Sequence, residues 1–143
     1  MRVSTSSITI NAPRESVWIV LTLPAYVRQW QYNSDLTTDW NVGAPIRLSS
    51  EWQGRVFEQW GTVLEFDIPA RLRYSLFAPR PGLDDVPENY FTMTYDLSEV
   101  AGGTKVTFIH EDPRELDLIE NNTDEDDPVL TALRDVAEAL ANE

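Results

Sequence analysis

The 143-residue chain has no cysteine, one lysine and one histidine. The first absence removes disulfides, thiol nucleophiles and thiolate metal sites. The second bears on partners. Phosphate backbones and anionic lipid surfaces are held mainly by Lys and Arg. Here Lys105 stands alone, the arginines are scattered, and the net charge is −13. Nucleic acid and membrane are therefore not expected partners. No stretch approaches the ~20 apolar residues of a membrane span, and "MRVSTSSITI" lacks the apolar core of a secretion signal. A soluble, cytoplasmic protein is the expectation. The Gly-x-Ser-x-Gly turn of hydrolases, the phosphate-binding loop and His-rich metal spacing are also missing. Neither a catalytic residue nor a metal or cofactor site is assigned.

What is present is a change of rhythm. Ser7 to Ile10 alternates polar and apolar residues as a half-buried strand does. Asn11 can cap a helix, Pro13 suits its first turn, and Val17, Val20 and Leu21 recur at helical spacing beside Trp18. Pro24 ends that helix, and Ala25 to Trp30 reads as a second short one. From Ile46 onward the pattern is strand-like, in segments 46–52, 55–67, 71–77, 90–98 and 104–110, separated by Gly- and Pro-rich turns. The tail "PVLTALRDVAEALANE" places Val129, Leu133, Val136 and Leu140 on one stripe, flanked by Leu130 and Ala137. Pro128 takes the first helical position and Asp127 the cap. A single α+β domain over 1–143 follows, with helices layered on an antiparallel sheet.

Four segments, in order, then resemble a known family. "ITINAPRESVWIVLTLPAYVRQW", "DWNVGAPI", "GTVLEFDIPARLRYSL" and "GGTKVTFIH" are similar to the SRPBCC (START-like, helix-grip) superfamily. The branch they resemble most is the bacterial homologues of the heat-shock protein 90 ATPase activator. The resemblance implies a curved antiparallel sheet of about seven strands gripping the C-terminal helix, with two short helices after the first strand. It also implies a cavity between sheet and helix that in relatives takes lipids, polyketides or other apolar molecules.

Register can be argued from the residues themselves. A two-residue turn at Gln53-Gly54 pairs Trp52 with Arg55, Ser50 with Phe57, Leu48 with Gln59 and Ile46 with Gly61 on one face. The other face pairs Ser49 with Glu58 and Arg47 with Trp60, a candidate cation–π contact. The first face is the more apolar and is assigned to the interior. Continued alternation gives the candidate ligand-lining set: Trp30, Leu48, Phe57, Tyr74, Leu76, Phe91, Met93, Tyr95, Phe108, His110 and Leu133. Each aromatic among them can equally be an ordinary core residue. His110 is a candidate base or polar anchor, but it also reads as an inert strand-end residue beside Glu111 and Asp112. "NNTDEDD" lacks the central Gly and terminal Glu of a calcium loop and reads as a solvated acidic lead-in to the last helix. Asp84-Asp85 lies in a Pro-flanked loop.

Three functions fit these residues. The first is a binder of a small apolar or aromatic ligand without chemistry of its own. The second is a polyketide-cyclase-like cavity enzyme using His110, Tyr74 and Tyr95. The third is a chaperone-activator-like interaction domain exposing Trp40 or Trp60.

Overall fold

A computed structural model describes residues 2–30, 34–79, 81–113 and 128–142. Its elements run β1 (Arg2–Ile10), α1 (Arg14–Thr22), α2 (Pro24–Trp30), β2 (Asp35–Thr37), β3 (Pro45–Trp52), β4 (Arg55–Asp67), β5 (Arg71–Leu76), β6 (Phe91–Val100), β7 (Gly103–Asp112) and α3 (Pro128–Ala141). A single 3-10 turn, Pro87–Asn89, precedes β6. The seven strands form one curved sheet in the order β1-β7-β6-β5-β4-β3-β2, every neighbouring pair antiparallel. The three helices cover its concave face, and α3 packs against α1, α2 and β1.

The β3–β4 hairpin has the register that its turn dictates. Gln53 and Gly54 both take positive φ, 50° and 76°, as a two-residue turn matching strand twist requires. Ser50 thus faces Phe57, Leu48 faces Gln59, Ile46 faces Gly61 and Arg47 faces Trp60. Further along β4 the pairing with β5 slips between Val63 and Glu65. That bulge reverses parity: Gly61 and Val63 point to the concave side before it, Phe66 after it. Leu64, the extra residue, is left exposed.

Helix α1 starts two residues later than its sequence suggests. Pro13 occupies the cap with extended ψ of 156° and no side-chain cap bond; Val17 N–H donates to its carbonyl at 3.2 Å. Asn11 instead donates its own N–H to the Glu138 carboxylate at 2.9 Å, joining α3 to the end of β1. At the other end of α1 the last carbonyls need partners. Trp30 Nε1 donates to Val20 O at 2.8 Å and Trp40 Nε1 to Thr22 O at 3.0 Å. Two indoles therefore fix α2 and the segment before β3 to the helix. Helix α3 buries Leu130, Leu133 and Ala137, with Val129, Val136 and Leu140 partly buried beside them. The expected cap Asp127 and the acidic run before it lie outside the described residues.

The segment 34–44 contributes a strand that its polar, turn-rich composition conceals. In β2, Asp35, Leu36 and Thr37 pair with Ser49, Leu48 and Arg47, and only Leu36 is buried.

Candidate functional site

Alternation across β5, β6 and β7 sends Leu72, Tyr74 and Leu76, then Phe91, Met93, Tyr95 and Leu97, then Val106, Phe108 and His110 to the concave face. In register, Leu72 faces Tyr95, Tyr74 faces Met93 and Leu76 faces Phe91. Tyr95 in turn faces Phe108, and Met93 faces His110. The rings meet. Tyr74 stacks on Tyr95 at 6.4 Å between centroids and Tyr95 on Phe108 at 4.7 Å, while Phe91 lies 5.0 Å from His110. Trp30 meets Tyr95 edge-on at 6.3 Å from α2. Such pairs add roughly 0.5–1.5 kcal/mol each beyond the area they bury.

The run extends further than sequence reasoning carried it. Trp40 stacks on Phe66 at 5.4 Å and tilts against Tyr74 at 6.4 Å, and Trp18 meets Phe66 edge-on at 5.3 Å. Trp40 is therefore turned inward and partly buried, not displayed for a partner. The Phe66 contribution depends on the β4 bulge, which simple alternation cannot foresee. Trp40 sits outside any strand with φ of 59°, so no periodicity marks it.

Burial varies along this run, and Trp40 and Phe66 are only partly buried. Trp30, Tyr74, Leu76, Tyr95 and Phe91 are buried, and Leu133 is fully buried on α3. Met93, Phe108 and His110, on neighbouring positions of β6 and β7, are only partly buried. Asp112 follows His110 on the same face and is 2% exposed. Across the strand pair, Ser4 faces His110 and Ser6 faces Phe108, so the half-open end mixes rings with hydroxyls.

Two candidates fall elsewhere. Phe57 has the interior parity but is 48% exposed, because the β3–β4 hairpin runs beyond the helices that roof the sheet. Leu48 is buried and borders a small void under α1 and α2, shared with Leu21, Val27, Trp30, Trp40 and Tyr74. That void measures about 10 Å³, room for one water at most. Larger concavities among the described residues open on other surfaces, among them a groove of about 980 Å³ beside Arg47, Glu58 and Trp60. Trp60 is half-buried there, and its indole N–H donates to Asp85 at 3.1 Å. Among the described residues no group of three His, Asp or Glu side chains could hold a metal ion. No described helix is long and apolar enough to cross a membrane.

Comparison with known proteins agrees with this architecture. The chain is similar to a Cytophaga hutchinsonii protein of known solution structure, at 27% identity and TM-score 0.69 over 99% of this chain and 87% of the other. It is similar to the Aha1 dimer of Colwellia psychrerythraea at 18% identity and TM-score 0.65, covering 96% and 97% of the two chains. It is also similar to an HSP90 activator from Plasmodium falciparum at 17% identity and TM-score 0.62, covering 81% and 76%. No curated protein matches the chain. The family model described as "Activator of Hsp90 ATPase homolog 1-like protein" matches residues 11–141, from the turn after β1 to the last residue of α3; the chain belongs to that family, a branch of the SRPBCC superfamily.

Proposed function

We propose that this protein binds a small apolar or aromatic molecule, a lipid, polyketide or similar compound, on the concave face of its sheet in the cytoplasm. One observation carries the reading: the continuous run of rings from Trp18 to His110 is buried at Tyr74 and Tyr95 and emerges into partial exposure at Phe108 and His110, beside the equally half-buried Met93. A planar or aliphatic ligand laid on that end would extend the stacking and remove apolar surface from water, at about 25 cal/mol per Å². The hydroxyls of Ser4 and Ser6 and the imidazole of His110 supply the few polar contacts that orient such a ligand.

The test is mass spectrometry of small molecules carried through native purification, repeated on Met93→Asp and Phe108→Asp. A specific apolar compound should accompany the wild type and be lost from both folded variants. Its retention by either would place the ligand elsewhere. His110 separates binder from cyclase-like enzyme. As an anchor, its replacement by Ala should change affinity by about one hydrogen bond, ~0.5–1.5 kcal/mol. As a general base, it would instead abolish conversion of a bound substrate, since such catalysis is typically worth 10²–10⁴ in rate.

A second reading is favoured by the exposed end of the β3–β4 hairpin. Phe57 and Val56 stand in solvent there, and one similar structure is that of an HSP90 activator. In this reading the domain engages a chaperone through that tip. Added protein should then raise the ATP hydrolysis rate of an Hsp90, and Phe57→Ser should remove the increase.

A further inference from the structure

The convex face holds a pocket on the opposite side of the sheet from the ring run. Thr62, Ser75, Thr92 and Glu111 lie in one row across β4, β5, β6 and β7. Ser75 pairs with Thr92 and Thr92 with Glu111, while the Thr62 N–H donates to Ser75 Oγ at 3.1 Å. Three short side chains on adjacent strands leave a trough between longer neighbours. The loop after β5 walls one side of it with Asp85, Val86, Pro87 and Tyr90, leaving an open trough of about 520 Å³. That size falls in the range of small-molecule sites.

Asp85 is held in place before any ligand arrives. Its Oδ1 accepts from the Tyr90 hydroxyl at 2.6 Å and its Oδ2 from Trp60 Nε1 at 3.1 Å. Phe77, packed between the Trp60 and Tyr90 rings at 5.5 and 5.3 Å, backs both donors. Both donors are neutral, so this network orients the carboxylate without cancelling its charge. A carboxylate also retains acceptor capacity after taking two hydrogen bonds. At the far end, Glu111 meets the half-buried Arg73 guanidinium at 3.8 Å, beyond direct hydrogen-bond distance. Among the described residues the lining therefore offers two carboxylates, three hydroxyls and a phenol oxygen, and no basic side chain.

We propose that this pocket binds a small organic diamine through a primary ammonium group. An alkylammonium carries three donors and no acceptor, which complements a lining dominated by acceptors. Its methylenes have Val86 and Pro87 to lie against. The net charge of −13 raises the local concentration of cations around the whole protein, and the oriented Asp85 gives one place where they are held.

Putrescine titrated into ¹⁵N-labelled protein at low salt provides the test. Saturable shifts should centre on Thr62, Ser75, Asp85, Tyr90 and Thr92. Asp85→Asn should weaken binding at least tenfold and Glu111→Gln by at least threefold, with the remaining spectrum unchanged. Shifts that spread over the acidic surface without saturating would mean counter-ion attraction alone and overturn the proposal. Equal binding of 1,4-butanediol would remove the ammonium from it, and equally tight binding of choline would remove its hydrogen-bonded geometry. Because the ring run lies on the opposite face, none of these outcomes bears on the proposed apolar ligand.

Discussion

The two faces of the β5–β6–β7 region are built from the same three strands and share every backbone hydrogen bond, yet they behave as different solvents. Toward the helices, Tyr74 and Tyr95 stack in the buried interior, Phe108 continues the stack to its half-open end, and Phe91 packs on His110. Away from them stand Arg71, Arg73, Asp96 and Glu111, joined by loose ion pairs at 3.4–3.8 Å, and a row of hydroxyls. Packing dominates the first face. The second contributes little to stability, since exposed pairs are worth about 0–1 kcal/mol. Burial thus decides which face holds the fold together, and freedom from that duty leaves the other face open to polar recognition.

That contrast can be broken by substitution, and the largest effect should come from the concave side. Leu133→Ala, at a fully buried site on α3, should cost about 2–5 kcal/mol in denaturant unfolding. A loss near zero would mean that α3 does not close the core. Next is Gly61→Ala. A Cβ at Gly61 collides with the Ser75 carbonyl on β5, so this single methyl should cost about 1–3 kcal/mol or more by overpacking. Full stability would show that β4 and β5 approach less closely than described. Phe57→Ala should stay within about 0.5 kcal/mol of wild type, although the residue shares its parity with buried Leu48. A multi-kilocalorie loss would put Phe57 in the core after all.

The smallest effect is a pH dependence on the convex face. Burial, and then the hydrogen bond and negative charge of Asp85, hold the Tyr90 phenol above its ordinary value of 10.0. A raised folded value means that the folded state binds this proton more tightly. The stabilisation is complete below pH 10 and is lost as pH rises through the folded value. Residue-resolved NMR titration should therefore show Tyr90 ionising above its ordinary value, and Asp85→Asn should lower its midpoint. A Tyr90 midpoint unchanged by Asp85→Asn would remove Asp85 from contact with the phenol.

The sequence was most legible where local chemistry acts over few residues. Gln53-Gly54 sets the hairpin register, and helical spacing marks the apolar side of α3, although its buried centre is Leu130, Leu133 and Ala137 and the expected stripe members Val129, Val136 and Leu140 are only partly buried. Parity then assigned Tyr74, Tyr95 and Phe108 to one face. Parity cannot say how far the helical roof extends, which is why Phe57 lies in solvent. It also cannot register a bulge, so Phe66 was missed. Trp40 has no period to betray it, because its place is set by a left-handed backbone and a hydrogen bond to the end of α1. The short β2 strand escaped for a similar reason: three residues with one buried side chain give no alternation to count.

The sheet order carries a consequence for the time course of folding. Strands β2 to β7 each pair with a neighbour close in the chain, but β1 pairs with β7, from Ile10 opposite Thr104 to Arg2 opposite Asp112. The cost of closing a loop of roughly a hundred residues falls on that one ladder. During synthesis β1 emerges first and waits with its hydrogen-bonding edge unmatched while the hairpins assemble behind it. Amide protons of β1 should accordingly be the last of the sheet to gain protection when hydrogen exchange is pulsed during refolding.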